Sequence, residues 1–189
     1  RIKTLTELHG APGFEEEVRD YMKKEMTPFV DEVITTHMGS IFGVKKSKNT
    51  NAKRVMIAAH MDEIGFMITN ITQNGMLQFT NLGGVSNDIW QGQRLQVKNR
   101  DGEKIVGIVS NIPKHFRTGN EAVPEIKDLM LDIGAESDKE VRSRGIEIGD
   151  TIVPYTPFTQ LSEHRYSAKA WDNRYGCVLA IEILELLKD

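Results

Sequence analysis

The stretch RVMIAAHMDEIGFMITNITQNGMLQFTNLGG, residues 54–84, holds two different strand patterns, one after the other. The first part, Arg54–Ala59, is continuously apolar from its second residue onward. Such a run predicts a buried strand covered on both faces, as in α/β folds. From Ile64 onward, apolar and polar residues alternate on both sides of Asn74-Gly75, which is typical of a β-hairpin. The sequence therefore predicts an α/β layer that gives way to a β-rich part after about residue 65.

Toward the amino terminus, the pattern predicts a mixture of helices and short strands. Apolar residues at helical spacing predict two helices, which Pro12-Gly13 separates. Two short strands are expected at Glu32–Thr35 and Ile41–Val44. These elements belong to the same α/β layer as the apolar run that follows them.

Toward the carboxyl terminus, the β-rich part continues and then ends. Strands flank Asp101-Gly102, and another strand follows Gly149. Helical spacing returns near residue 165, and Cys177 lies on the apolar stripe of this last helix. We expect Cys177 to be a small buried hydrophobe and not a nucleophile.

Composition and charge restrict the classes of protein to which the chain can belong. Of its 189 residues, 39% are hydrophobic, enough for a globular core, and the net charge of −3 leaves no basic surface for nucleic acid. No apolar run reaches the roughly 18 residues of a membrane helix, and the opening RIKTLTELHG lacks the apolar stretch of a signal peptide. The single Cys177 agrees with a reducing compartment. We expect a soluble, cytoplasmic protein without nucleic-acid or membrane partners.

Both ends of the sequence suggest a part of a larger protein. The chain opens on Arg1 and not on methionine. It stops at Asp189, directly after an apolar helical run that needs a packing partner. We therefore expect about half of a longer polypeptide.

The first candidate for chemistry is His60-Met61-Asp62-Glu63, at the end of the predicted apolar strand. In an extended chain residues 60 and 62 point the same way, so one ring nitrogen of His60 could bind a metal while the other donates to Asp62. This spacing alone is a weak signal. Its position strengthens it, because ligands of open α/β sheets bind beyond the carboxyl ends of the strands. The other histidines near turns, His9, His37 and His164, are expected at the surface.

The second candidate is AWDNRYG, residues 170–176, directly before the last helix. The Asp172 carboxylate has two oxygens, so it could either cap the helix N-terminus or bridge two cations. On the sequence alone the cap is the favoured interpretation.

Together, AAHMDEIGFM, the β-rich stretch and AWDNRYG resemble the N-terminal half of the tetrahedral, or glutamyl, aminopeptidase family of dinuclear metallopeptidases. Similar proteins are also labelled cellulase M or endoglucanase. Further motifs that carry the resemblance are GAPGFEEEVR (10–19), LGG (82–84), EIKDLMLDIGA (125–135) and GIEIGDTIVP (145–154).

The resemblance implies a fold and a domain division. The fold is an α/β/α aminopeptidase-type catalytic domain, present in part and interrupted by an inserted β-barrel-like domain. Residues 1–65 and the truncated segment 164–189 are assigned to the catalytic domain, and residues 66–163 to the oligomerisation domain.

The resemblance also implies roles for individual residues. His60 is expected to be a terminal ligand of one metal ion, Asp172 the carboxylate that bridges two ions, and Asp62 the catalytic partner that orients His60. Zn²⁺ or Co²⁺ suits these ligands. The Asp172–Asn173 peptide bond is expected to be cis. The family's Glu-Glu pair and two further ligands cannot be placed before residue 189, so the isolated chain is expected to be inactive.

Oligomers are a further implication, since the family forms dimers that build twelve-subunit particles. The stretch Pro113–Gly119 is then either a mobile surface loop, the favoured interpretation, or a loop that crosses to a neighbouring subunit. Trp90 and Phe116 are expected at an interface.

Two other functions remain open. The chain could be a non-catalytic oligomerisation or peptide-binding module, or part of an endoglucanase-type glycoside hydrolase. The latter needs two carboxylates about 5–9.5 Å apart and no metal. The preferred N-terminal residue of a peptide substrate and the physiological metal also stay open.

Overall fold

The computed structural model describes residues 1–111 and 123–188. The predicted crossing loop Pro113–Gly119 and the predicted interface residue Phe116 lie outside this part of the chain. Among the described residues, no helix has the length and apolar character that crossing a bilayer requires.

The described residues form four α-helices and ten β-strands. In chain order they are α1 (Ile2–Glu7), α2 (Glu16–Met26), β1 (Glu32–Thr35), β2 (Ile41–Val44), β3 (Gly65–Ile71), β4 (Met76–Leu82), β5 (Arg94–Lys98), β6 (Lys104–Val109), β7 (Met130–Asp132), α3 (Asp138–Ser143), β8 (Thr151–Pro154), β9 (Thr159–Ser162), β10 (Arg165–Ser167) and α4 (Trp171–Leu186). They belong to two compact units, Arg1–Glu63 with Pro157–Asp189, and Ile64–Thr156. The predicted domain boundaries after residues 65 and 163 stay predictions.

In the first unit, α1, α2 and α4 enclose the hydrophobic core. Residues Val18, Met22 and Met26 recur every four positions along one face of α2, the spacing that brings side chains together on a helix. Cys177 of α4 is buried in the same core, as predicted. The strands β1 and β2 begin and end where the sequence predicts them, and they pair as an antiparallel hairpin.

The predicted buried strand Arg54–Ala59 is wrong for the described chain. The segment belongs to no strand there, and Val55 and Met56 are strongly exposed, at 85% and 79% of the residue. A continuous apolar run becomes a buried strand only when neighbouring strands and covering layers are present. The first unit contains only the two-stranded sheets β1-β2 and β9-β10 among the described residues, so the α/β/α layering stays a prediction.

The second unit is a closed six-stranded barrel in the order β3-β4-β7-β6-β5-β8. All neighbouring strands are antiparallel. The turns at Asn74-Gly75 and Asp101-Gly102 join β3 to β4 and β5 to β6, which confirms both predicted hairpins. Alternate side chains point inward because the period of a strand is two residues, and Phe66, Ile68 and Phe79 are among those that fill the interior.

Trp90 belongs to the core of the barrel unit, so its predicted place at an interface is wrong. Only 4% of the residue is exposed, which leaves almost no surface for a partner. Its ring packs edge-on against Phe66 with 4.8 Å between centroids, and its Nε1–H donates to the Ser86 carbonyl at 2.7 Å. A buried tryptophan is stable where its N–H also finds an acceptor, and Ser86 provides one.

Gly75 is the turn residue that the first barrel hairpin requires. Its φ is +81°, and a Cβ at this position would collide with the carbonyl oxygen of Ala135. We expect Gly75→Ala to lower the free energy of unfolding by about 2–4 kcal/mol, the sum of left-handed backbone strain and the collision, measured by urea denaturation. Gly102 provides the control, because its φ of +83° is similar and no atom lies within 4 Å of the added Cβ. Gly102→Ala should cost about 1 kcal/mol, and equal losses in the two variants would contradict the collision.

Candidate functional site

The segment His60-Met61-Asp62-Glu63 follows the exposed apolar run and belongs to the first unit. Its last residue, Glu63, is held by a hydrogen bond from its backbone N–H to the Gly10 carbonyl at 2.9 Å. His60 Nδ1 lies 2.8 Å from Asp62 Oδ1, so these two side chains are on the same side of the chain, as the alternation predicts. Both side chains are partly exposed, at 52% for His60 and 40% for Asp62.

Asp172 lies at the start of α4, where the backbone is irregular. Ala170 has a left-handed conformation with φ +56°, and Asp172 and Asn173 have non-helical dihedral angles. The Asp172–Asn173 peptide bond is cis, as predicted. The Asp172 side chain is 91% exposed.

The prediction that Asp172 caps the last helix is wrong. The side chain that accepts a hydrogen bond from the first turn is that of Asn173, whose Oδ1 lies 3.2 Å from the Gly176 backbone N–H. Asparagine and aspartate are nearly equal as caps, so the sequence could not distinguish the two neighbouring positions. Because Asn173 accepts this hydrogen bond, the Asp172 carboxylate is available for other contacts.

The imidazole of His60 lies between two carboxylates that are 110 positions apart in sequence. Its Nδ1 faces Asp62 at 2.8 Å, and its Nε2 faces Asp172 Oδ1 at 2.9 Å. A neutral imidazole has one N–H, so the ring donates to both carboxylates only when it carries a second proton and a positive charge. Burial lowers the pKa of His60, and the hydrogen bonds with Asp172 and Asp62 more than offset this effect, so the pKa lies above its usual value. The arrangement therefore favours a cation, whether a proton or a metal ion.

These residues fit part of a metal site. Imidazole nitrogen and carboxylate oxygen are ligands that Zn²⁺ and Co²⁺ accept, and His60 Nε2 and Asp172 Oδ1 face each other. A divalent cation could take the place of the proton at Nε2, while Asp62 holds the other ring nitrogen. Across residues 1–111 and 123–188, no group of three or more potential ligand residues meets. The described chain can thus supply some of the ligands of such a site.

Beneath these side chains lies a buried ionic cluster that the sequence analysis missed. Lys169 Nζ is 2.5 Å and Arg174 Nη2 is 3.3 Å from Glu63 Oε1, and all three side chains are almost completely inaccessible. Burial raises the pKa of the Glu63 carboxyl, and the charges of Lys169 and Arg174 oppose that rise. The sequence offered one signal for this cluster, namely position. Glu63 and Arg174 are the last residues of the motifs HMDE and AWDNR, and Lys169 directly precedes the second motif.

The predicted surface position of His9 is wrong, because His9 is completely buried in the first unit. His37 and His164 are exposed, as predicted. The His9 backbone N–H donates to Glu17 Oε2 at 3.1 Å, which ties the end of α1 to α2. The position of His9 near a turn led to the wrong prediction of exposure, because this turn is itself buried in the first unit.

Comparison with known proteins assigns the chain to a family. The model of the M42 glutamyl aminopeptidase family matches residues 39–189, and the chain belongs to this family. The glutamyl aminopeptidase of Lactococcus lactis subsp. cremoris is 40% identical over 194 residues, which include 100% of this chain and 54% of the relative. The resemblance stated from the sequence motifs is thereby confirmed.

Solved structures agree with this assignment. An aminopeptidase of the archaeon Desulfurococcus kamchatkensis has a TM-score of 0.91 at 36% identity, covering 98% of this chain and 50% of that one. The TET1 peptidase of Pyrococcus horikoshii, which can assemble into a tetrahedron or a large octahedral shell, has a TM-score of 0.83 at 29% identity, covering 97% of this chain and 55% of that one. The chain therefore spans about half the length of the relatives that it matches.

Proposed function

We propose that the full-length protein containing this chain is a metal-dependent aminopeptidase that removes N-terminal residues from peptides. The observation that carries the proposal is His60, held between Asp62 and Asp172 in a chain of the M42 family. This chain would supply two metal ligands and the residue that orients one of them. The remaining ligands and the general base would come from the part of the protein outside this chain, so the isolated chain is expected to be inactive.

The roles of the three residues follow from their contacts. His60 would act as a terminal ligand through Nε2, and Asp62 would hold Nδ1–H and thereby fix the tautomer and the direction of the ring. Asp172 would bridge two ions, because both of its oxygens lie on an exposed side chain. Two Zn²⁺ or Co²⁺ ions, when bound, supply the positive charge that polarises the scissile carbonyl and acidifies a water molecule. The two aspartate side chains lie next to that position, and they are 40% and 91% exposed, so a peptide can reach this part of the unit.

Assembly and location are part of the same proposal. We propose that the full-length protein forms homo-oligomers, from dimers up to dodecamers, and this is supported by the TET1 peptidase that assembles into shells. The predicted cytoplasmic location, and the absence of nucleic-acid and membrane partners, stay predictions.

Metal removal tests the activity. The full-length protein should hydrolyse aminoacyl p-nitroanilides, tested with acidic, basic and apolar residues, and should lose this activity after dialysis against EDTA. Adding Zn²⁺ or Co²⁺ should restore the activity, and the 189-residue chain should show none in the same assay. Peptide hydrolysis that survives EDTA would contradict the metal mechanism. Hydrolysis of carboxymethylcellulose without any peptidase activity would instead support the glycoside hydrolase alternative.

A further inference from the structure

Two side chains of α4 bind the main chain of the His60–Asp62 segment. Arg174 Nε donates to the Met61 carbonyl at 2.7 Å, and Cys177 Sγ donates to the His60 carbonyl at 3.4 Å. Residues three positions apart lie on the same face of a helix, so Arg174 and Cys177 reach two successive carbonyls from one side. The backbone on which His60 and Asp62 are placed is therefore attached to α4 directly.

Arg174 also connects this segment to two other points of the first unit. Its guanidinium is completely buried, donates through Nη1 to the Leu5 carbonyl at 2.5 Å and lies 3.3 Å from Glu63. The guanidinium group is a planar fork with five donors, so one side chain can satisfy several acceptors in a fixed geometry. The guanidinium is closely packed on the side that faces Gly10, because a Cβ at Gly10 would lie 2.5 Å from Nη2.

We infer that Arg174 is a positioning residue that sets where His60 and Asp62 lie relative to Asp172. Asp172 comes two residues before Arg174, so the same stretch of chain carries the exposed carboxylate and the buried fork. By holding the Met61 carbonyl, Arg174 fixes the backbone next to His60. It thereby sets the distance between His60 Nε2 and Asp172 Oδ1. Cys177 supports the same backbone at the His60 carbonyl. The inference rests on the proposed function, since it assigns Arg174 a part in metal binding.

A merely structural arginine would affect folding alone, and this difference makes the inference testable. Ligands must be held to within about 0.5 Å of their productive geometry, and losing the contacts that orient a ligand lowers metal affinity about 10- to 100-fold. A change at Arg174 should therefore appear in metal binding even when the fold is retained. Lysine keeps the charge at this position but has a single donor nitrogen and loses the fork.

The experiment measures Co²⁺ binding to the full-length protein by its visible absorption spectrum and by competition with a chelator. We expect Arg174→Lys to weaken Co²⁺ binding about 10- to 100-fold, to alter the Co²⁺ spectrum and to lower kcat more than it raises KM. Arg144→Lys is the matched control. Arg144 also donates to two carbonyls, those of Ile133 and Gly134 at 2.8 and 2.9 Å, and it lies in the barrel unit. This control should change thermal stability but not the spectrum.

A second set of variants covers the case in which Arg174→Lys does not fold. Cys177→Ala removes the donor to the His60 carbonyl, whereas Cys177→Ser keeps one. Co²⁺ affinity should fall several-fold in the alanine variant and less in the serine variant. Gly10→Ala should displace the guanidinium without removing it and should also alter the spectrum.

The outcomes separate the inference from the proposed function. If Arg174→Lys folds and keeps the Co²⁺ affinity and spectrum of the wild type, the inference alone is overturned. If Arg174→Lys does not fold, wild-type Co²⁺ affinity and spectrum in both Cys177→Ala and Gly10→Ala overturn it in the same way. A wild-type protein that binds no Co²⁺ and hydrolyses no peptide would overturn the proposed function and the inference with it.

Discussion

Asp172→Ala in the full-length protein is expected to lower kcat for N-terminal residue removal by about 1000-fold or more. Asp172 is the proposed bridge between two ions, and metal ions contribute several kcal/mol to such reactions, each 1.36 kcal/mol being worth a factor of ten. Folding should change little, because 91% of the Asp172 side chain is exposed and the helix is capped by Asn173 instead. The measurement combines steady-state kinetics, the metal content of the protein and its melting temperature.

Glu182 provides a matched control for this substitution. It is an exposed carboxylate on the same helix, and its salt bridge to Arg1 lies at the surface. Glu182→Ala should keep kcat and metal content close to those of the wild type. If Asp172→Ala kept wild-type kcat, or lost activity only in step with its melting temperature, the bridging role would be wrong.

Phe66→Ala should have the largest effect on the stability of the barrel, about 3–5 kcal/mol in the free energy of unfolding. Phe66 is completely buried and packs edge-on against both Phe79 and Trp90, with ring centroids 5.3 and 4.8 Å apart. The substitution removes the ring from both contacts and leaves a cavity in a closed barrel, where the surrounding strands cannot easily collapse. Urea denaturation gives the free energy, and hydrogen exchange of the β3 and β4 amides reports on the barrel itself.

Two further variants show whether the loss comes from the cavity. Phe66→Leu keeps most of the buried volume and should cost clearly less than alanine. Ile108→Ala, at a half-exposed position on β6, should cost about 1 kcal/mol or less. Losses of similar size in Phe66→Ala and Ile108→Ala would contradict the packing described here.

The parts of the fold that the sequence predicts correctly depend on local signals. Alternation together with Asn74-Gly75 or Asp101-Gly102 specifies a hairpin within one short stretch of chain, and both hairpins are found, over residues 65–82 and 94–109. The side-by-side placement of His60 and Asp62 has the same origin, since residues two apart in an extended chain share a face. The role of Asp172 as a metal ligand beside His60 came instead from the resemblance between motifs, because no local rule connects the two residues.

The predictions that failed concern features decided by distant parts of the chain. Arg54–Ala59 has the composition of a buried strand, but its burial depends on neighbours that the described residues do not provide. Arginine is rarely buried, so composition gave no reason to expect Arg174 in the interior. Its burial depends on acceptors more than 100 residues away in sequence, at Leu5, Met61 and Glu63.

The exposed segment Arg54–Ala59 also affects how the isolated chain behaves in a test tube. Short apolar stretches without proline that belong to no sheet tend to pair with copies of themselves and to aggregate. The charged residues that border this stretch have opposite signs, with Lys53 before it and Asp62 shortly after it. Copies that pair in parallel would bring like charges together, whereas copies that pair antiparallel would bring opposite charges together. The isolated chain is therefore best kept dilute.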